Sequence, residues 1–565
     1  MSSTVTEGLS RTARGGKVPT AWQRARGPRS LEDPVLGWCA GIGVMLFALV
    51  LRLWDLGKPA EFSFDETYYA KDAWSMLHFG HGMDYVDDAN DQILAGDTAG
   101  LWKDTPSMTV HPEVGKWLIA IGIKLFGMDP FGWRIASAVV GSLMILVMIR
   151  FVRRVSGSTF LGCLAGLLLA LDGMHFVLSR LALLDIFLAF FTLAAVHCLV
   201  ADRQQFRRRL GERVADQVTS GFGPVRGLLL RPWLIASGVC WGLALACKWT
   251  AIYPLAAFGL LYWVWCAGAR RSFGVRWPVL RSALADGLTA FAQICLTALV
   301  VYVVSWTGWL INADTYEEHL SANRYQSWTG QGHCDGESYV VDNPDDSRHW
   351  ATADEPDASG IGEVWQSLRS LAFYHRDLYV FHTHFLSCAE HTYQSLPRGW
   401  MLLNRPVGIN AENGIQPGDQ GCTAAAGSDC LRQVLLLGNP MIWWGGALAA
   451  IFALVMWIGA RDWRFGVAVV GVLSTWLPWM QYDDRPIFSF YAIVTLPFLV
   501  LAITLAIGKL IGSGSRERRR TVGVVLAGSY VMLAFINFAW FWPIWTNQLL
   551  THDQWLQRIW FTRWI

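Results

Sequence analysis

The sequence predicts an all-α polytopic membrane protein of about eleven transmembrane helices with two large extracytoplasmic loops, and three observations carry that prediction. Of 565 residues, 53% are hydrophobic and only 16% are charged, and 31 are tryptophan. That composition belongs to a chain embedded in lipid, not to a string of soluble domains. Eleven apolar runs are long enough to cross about 30 Å of hydrocarbon. Finally, 27 of the 46 Lys and Arg, including every cluster, fall in segments that this arrangement puts on the cytoplasmic side, as the positive-inside rule requires. The net charge of +2 names no partner, and no nucleic acid is expected.

In chain order, residues 1–35 are basic and rich in Gly, Ser and Arg, with no apolar stretch leading to a small-residue cleavage site. They read as a disordered cytoplasmic tail. Spans follow near 36–54, 132–152, 159–177, 182–201, 232–248, 250–268 and 283–306, so that 36–309 forms an N-terminal transmembrane catalytic region of seven spans. A twelfth candidate, 113–127, is short and carries Glu113, Lys116 and Lys124. Counting it would reverse the charge alternation from there on, so it is assigned to the interface. The last four spans, near 438–459, 464–480, 486–510 and 521–545, make a C-terminal region, 438–565, whose end lies outside.

Two loops remain on the outer side, 55–131 and 310–437. The second begins with an acidic, irregular segment and then shows Ile361, Val364, Trp365, Leu368 and Ala372 at helical spacing, which predicts an amphipathic helix lying on the bilayer or packed in the loop. Seven of the eleven cysteines lie in or near spans and read as small apolar packing residues. Cys334, Cys388, Cys422 and Cys430 lie in the second outer loop, where disulfides form, and they allow three pairings.

Function is read from charges placed where lipid disfavours them. An ionisable residue inside a bilayer costs about 2.5 to 3.5 kcal/mol, so it calls for a partner or a task. Arg134, Asp172, Arg180, Asp185, Lys248 and Arg485 all fall at outer ends or in outer half-spans. Snorkelling or simple ion pairing would explain any one of them; random scatter would also populate the inner half-spans. Together with Asp65, Glu66, His111 and Lys116 from the first loop, they outline an outer cavity holding both carboxylates and cations. Such a set suits a phosphate-bearing lipid: the cations stabilise the phosphate as a leaving group, and one carboxylate takes the proton of an incoming hydroxyl. Asp65, within FSFDETYYAKDAW (62–74), is favoured as that base, with Glu66 orienting it or sharing the load. Asp65, Glu66 and a histidine such as His111 or His391 could hold a divalent cation, but their spacing matches no recognised ligand motif, and no metal is assigned.

FDETYYAKDAWSM (64–76), HPEVGKWLIAIGIKLFG (111–127), GWRIASAVVG (132–141), LDGMHFVLSRLALLD (171–185), GLALACKWTAIY (242–253), HTYQSLPRGWMLLNRPV (391–407), GNPMIWWGGALA (438–449) and WLPWMQYDDRPIFSFYAIVTLPFLV (476–500) run in order through the chain. In these blocks the sequence resembles the bacterial protein O-mannosyltransferases. The resemblance implies a C-type glycosyltransferase fold and an inverting transfer from polyprenyl-phosphate mannose to Ser or Thr of a secreted or membrane protein, at the outer face of the cell membrane. It carries an essential acidic pair onto Asp65 and Glu66 and a site arginine onto Arg134, and it puts His391, Tyr393, Gln394 and Tyr491, which lie in matching blocks, among the supporting residues. Donor-phosphate binding is expected of Arg134, Arg180, Lys248 and Arg485. Two features depart from the family: 310–437 shows no threefold repeat of the kind that forms a β-trefoil in eukaryotic relatives, and Glu113 adds an acid within HPEVGK. The competing readings are an enzyme of the same architecture that modifies an envelope glycolipid from an arabinose- or aminoarabinose-type donor, and a transporter. A transporter would carry ionisable residues in both half-spans and in paired broken helices; neither is visible.

Overall fold

The computed structural model describes residues 34–215, 230–321, 349–386, 389–482, 484–512 and 517–565. The expected N-terminal tail, most of the 202–231 loop beyond residue 215, the acidic start of the second outer loop, Cys334 and Cys388 lie outside the described residues.

Helices dominate. The long apolar ones are α1 (Pro34–Leu53), α4 (Pro130–Ser156), α7 (Asp185–Ala215), α9 (Ile252–Ser272), α10 (Pro278–Ser305), α13 (Pro440–Ala460) and α16 (Glu517–Trp545); between them lie α5 (Thr159–Ala170), α6 (Gly173–Leu178), α8 (Pro232–Leu245), α14 (Trp463–Trp476) and α15 (Leu496–Ile511). Among the described residues, seven helices are long and apolar enough to cross a membrane. The expected spans at 159–177, 232–248, 464–480 and 486–510 instead appear as shorter helices.

Local chemistry explains several boundaries. Asp129 accepts from Gly132 N at 2.7 Å with Pro130 in the first turn, which starts α4, and Gly157 ends it at φ +76°, a conformation glycine adopts without penalty. The apolar run at 159–177 breaks at Asp172, whose carboxylate accepts from His175 N at 3.0 Å and so starts α6. Periodicity could not show that break, because the residues on both sides are equally apolar.

The two long loops are not purely helical. In the first, α2 (Glu66–Phe79) and α3 (Val114–Phe126) flank an antiparallel pair, β1 (Met83–Tyr85) and β2 (Trp102–Pro106). In the second, α11 (Ala313–Leu320) and α12 (Ile361–Val380) precede β3 (Val407–Ile415) and β4 (Cys430–Leu436). The chain end supplies β5 (Leu550–Thr551), and the sheet runs β3-β4-β5. No strand was expected from the sequence; these are short, bulged or half-buried, and show no sustained alternation.

Helix α12 forms where its periodicity predicts. Its apolar stripe points away from the protein, with Ile361, Val364 and Trp365 exposed by 91, 60 and 64%. The buried face is Ser370, Leu371, Tyr374 and Leu378, packed with Trp306, Trp309, Tyr316 and Trp350 in a core of its own. A Cys422–Cys430 disulfide selects one of the pairings left open and closes the β3–β4 end. Thr109 and Tyr374 are hydrogen bonded between the two loops, and Thr551 pairs with Cys430. Both loops and the C-terminal segment therefore share one end of the helix bundle.

Candidate active site

The site is built around the N-terminus of α2. Phe64 sits at φ +55°, a left-handed conformation that a bulky residue adopts only when its surroundings hold it there. Its ring is held edge-on by Phe488 and Phe490, at centroid distances of 5.3 and 5.7 Å, and by His391 at 5.9 Å. The next two residues are thereby sent in different directions.

Glu66 turns inward and is fully committed. Its oxygens accept from Arg134 Nε at 2.8 Å and Nη2 at 2.7 Å, from Ser63 N at 3.0 Å and from Ala182 N at 2.9 Å. Both side chains of this pair have no exposed surface. Arg134 spends its remaining N–H groups on the carbonyl oxygens of Leu56, Pro59 and Glu61 and on Ser63 Oγ. The pair ties the loop after α1 to α4, and Arg134 has no donor left for a phosphate, contrary to the expectation from the sequence.

Asp65 is different. It occupies the N-cap position of α2 but makes no side-chain capping bond; among the described residues its side chain accepts from the Tyr69 hydroxyl at 3.5 Å. Burial pushes its pKa up to about 6; Lys248 and the Tyr69 hydroxyl oppose the shift, and Asp185 adds to it. Nearby, Lys248 Nζ donates to both oxygens of Asp185 at 2.8 and 3.0 Å and lies 4.9 Å from the Tyr491 ring centroid. A pocket lined by Asp185, Lys248, Thr250, Tyr253, Trp479 and Tyr491 opens there.

His111 stacks on His382 with centroids 5.2 Å apart and faces Tyr69 at 6.1 Å. Burial holds His111 well below the usual histidine range, and Lys248, His382, Lys116 and Arg485 add to the effect. Burial likewise lowers His382 to about 4, with Arg485 and Lys248 contributing. Arg485 donates from Nη1 to His382 O at 3.0 Å, and its Nε has no partner among the described residues. Asp65, His111, Asp185, Lys248, Arg485 and Tyr491 thus lie in one neighbourhood.

Other candidates do not join them. Arg180 donates to the carbonyl oxygens of Arg52, Trp54 and Asp55, capping the end of α1. Asp172 accepts from Asn439 N at 3.0 Å and Trp443 Nε1 at 2.9 Å, clamping the start of α13. Neither pairs with the other; Asp185 takes Lys248 instead. Lys116 pairs with Asp72 at 3.0 Å, buried beneath α2. His391, Tyr393 and Gln394 form a turn in which Gln394 Oε1 accepts from His391 N and His391 Nδ1 accepts from Tyr393 N; its role is to wedge His391 against Phe64. Among the described residues, no three His, Cys, Asp or Glu side chains are grouped to hold a metal ion.

Comparison with known proteins matches residues 42–213 to the dolichyl-phosphate-mannose-protein mannosyltransferase model and residues 368–564 to the C-terminal four-transmembrane region of protein O-mannosyltransferase. The chain belongs to the protein O-mannosyltransferase family. It is 34% identical over 543 residues to the polyprenol-phosphate-mannose–protein mannosyltransferase of Mycolicibacterium smegmatis (strain MKD8), covering 94% of each chain. With the Mycobacterium tuberculosis (strain H37Rv) protein of the same name it shares 33% identity, over 94% of this chain and 92% of that one. In fold it matches the S. cerevisiae protein O-mannosyltransferase Pmt1-Pmt2 complex bound to the sugar donor, with a TM-score of 0.65 at 14% identity over 95% of this chain and 94% of that one. The architecture is that of a C-type glycosyltransferase.

Tyr69 and His382, which the fold brings beside Asp65 and His111, were not singled out from the sequence. Tyr69 had a usable signal, since it falls four residues after Asp65 and so on the same helix face. His382 had none: it sits just past α12, far along the chain from the residues it meets.

Proposed function

We propose that the chain transfers mannose from a polyprenyl-phosphate mannose to Ser or Thr hydroxyls of exported proteins, at the outer face of the membrane and with inversion at the anomeric carbon. The observation that carries this reading is the division of labour within the acidic pair: Glu66 is locked to Arg134, while Asp65 is left near Lys248 with a raised pKa.

In this reading the acceptor oxygen attacks C1 of mannose, its proton passes to Asp65, and the C1–O bond to phosphate breaks with its electron pair leaving on the phosphate. Lys248 and Arg485 neutralise that charge. A phosphate monoester anion leaves without being protonated, so one carboxylate is enough. His111 and His382, held neutral, can donate or accept hydrogen bonds without competing for the phosphate. Arg485→Gln, which removes a cation held among the described residues by its hydrogen bond to His382 O, lowers kcat/KM by about 10² to 10³ with no change in thermal stability; wild-type kinetics would remove Arg485 from the site. The function itself is tested by incubating the purified chain with labelled polyprenyl-phosphate mannose and a Ser/Thr-rich peptide. Alkali-labile label on the peptide is expected; label on an envelope glycolipid alone would point to the glycolipid-modifying alternative.

The outward orientation rests on the Lys and Arg distribution and on the Cys422–Cys430 disulfide, which suits an oxidising compartment. In intact cells a membrane-impermeant thiol reagent should label Gln420→Cys and miss Arg209→Cys; the reverse pattern overturns the topology.

A further inference from the structure

At the end of α4 away from Glu66 lies a second group of cations that mannosyl transfer does not use. Arg150 is 16 residues beyond Arg134, about 24 Å along the helix axis, and Arg154 is one turn further. The Arg150 guanidinium carbon sits 3.9 Å from the centroid of the Trp38 ring and that of Arg154 5.5 Å from Trp233, so each cation rests on an indole shelf. His197, on α7, faces Phe151, the residue after Arg150, with ring centroids 6.3 Å apart.

These groups are under-used by the protein. Arg150 Nη1 and His197 Nδ1 are shielded from solvent with no hydrogen-bond partner among the described residues. Arg154 has only Gln204 Oε1, at 3.3 Å. None of the three pairs with a carboxylate among the described residues. Elsewhere at this end of the bundle Arg231 binds Asp202 and Arg270 binds Asp286, while Arg203 lies over the Trp463 ring at 3.6 Å. Unpaired guanidinium groups flanked by tryptophan at the end of apolar helices have the chemistry of a phosphate site at headgroup depth. The neighbouring surface fits the rest of a lipid. Trp38, Ile42 and Leu46, four residues apart on one face of α1, are exposed by 44, 40 and 49% and form an apolar track leading from Arg150 toward the membrane interior.

We infer that Arg150, Arg154 and His197, with Trp38 and Trp233, bind the phosphate of an anionic membrane lipid whose acyl chain lies along Trp38, Ile42 and Leu46. The ligand chemistry is a phosphate anion, and an apolar track has no use for free phosphate. The assignment does not depend on the catalytic reading, because it concerns the opposite end of α4.

The test uses the full-length chain in detergent and native mass spectrometry with added phosphatidylglycerol or phosphatidylcholine. Wild type retains phosphatidylglycerol adducts in preference to phosphatidylcholine, and Arg150→Gln/Arg154→Gln weakens that binding about 25-fold, about fivefold for each cation near the headgroup. Arg150→Lys/Arg154→Lys keeps most of it, and Trp38→Ala weakens it severalfold with the charge intact; these two variants carry the test if the double Gln protein does not fold. Displacement of phosphatidylglycerol by millimolar inorganic phosphate would overturn the lipid assignment in favour of free phosphate. Equal phosphatidylglycerol binding by wild type, the foldable charge variant and Trp38→Ala would overturn the site altogether. Mannosyl transfer by the Gln variant in phosphatidylcholine stays at the wild-type rate, which separates this result from failure of the catalytic reading.

Discussion

Asp65→Asn is expected to lose a factor of about 10² to 10⁴ in turnover while still binding the lipid donor. The substitution keeps the size of the side chain and much of its hydrogen bonding, and removes only its ability to take a proton. Because Asp65 makes no side-chain cap on α2, folding should hardly change. The base must be ionised to act, so with a pKa raised to about 6 wild-type kcat/KM should climb as pH rises through 6 and fall about tenfold per unit below it. The sign for stability is opposite: a carboxyl whose folded pKa lies above its unfolded one contributes stability at low pH, and that contribution fades between about 4 and 6 as pH rises. Single-turnover assays and donor binding across pH 4.5 to 8 check both. Loss of donor binding in Asp65→Asn would make Asp65 an organiser of the site, and full activity in a folded variant would end its assignment as the base.

Glu66→Gln and Arg134→Met are expected to fail for a different reason. Either change strands a buried charge with no solvent to receive it, and breaking such a pair typically costs about 3 to 5 kcal/mol. Removing Arg134 also orphans the carbonyl oxygens of Leu56, Pro59 and Glu61. Each single variant should therefore show a lower Tm in detergent and poor membrane yield, with activity lost in proportion to folded protein. The double variant Glu66→Gln/Arg134→Met should recover part of the stability, since no lone charge remains. A single variant with wild-type Tm and no donor binding would instead restore Arg134 to the phosphate.

Much of this was legible in the sequence. Apolar run length marked each of the seven helices that, among the described residues, are long and apolar enough to cross a membrane, because a bilayer imposes one length on all of them. Lys248 and Arg485 were singled out by asking which charges lie where lipid disfavours them, and the acidic pair by its place in the first loop. The same question could not tell a cation that meets substrate from one that meets the protein's own carbonyls: Arg134 and Arg180 are spaced like ligands, but their partners belong to the chain turn after α1. Asp172 misled in the same way, since a clamp on Asn439 and Trp443 depends on a fold that brings residues more than 260 positions apart together. The small sheets escaped because their strands are short, bulged or half-buried and lack sustained alternation, and β5 pairs with a strand more than a hundred residues before it.

The pairing of Leu550 and Thr551 with β4 has a consequence for biosynthesis. Strand β4 ends at Leu436, and its last partner is made 114 residues later (550 − 436). At about 5 to 20 residues per second, the nascent chain waits roughly 6 to 23 s with the outer edge of β4 uncovered while four more apolar helices pass through the insertion machinery. The sheet therefore closes only when translation is nearly finished, and a chain released before residue 550 would present an open strand edge to quality-control proteases and to other chains.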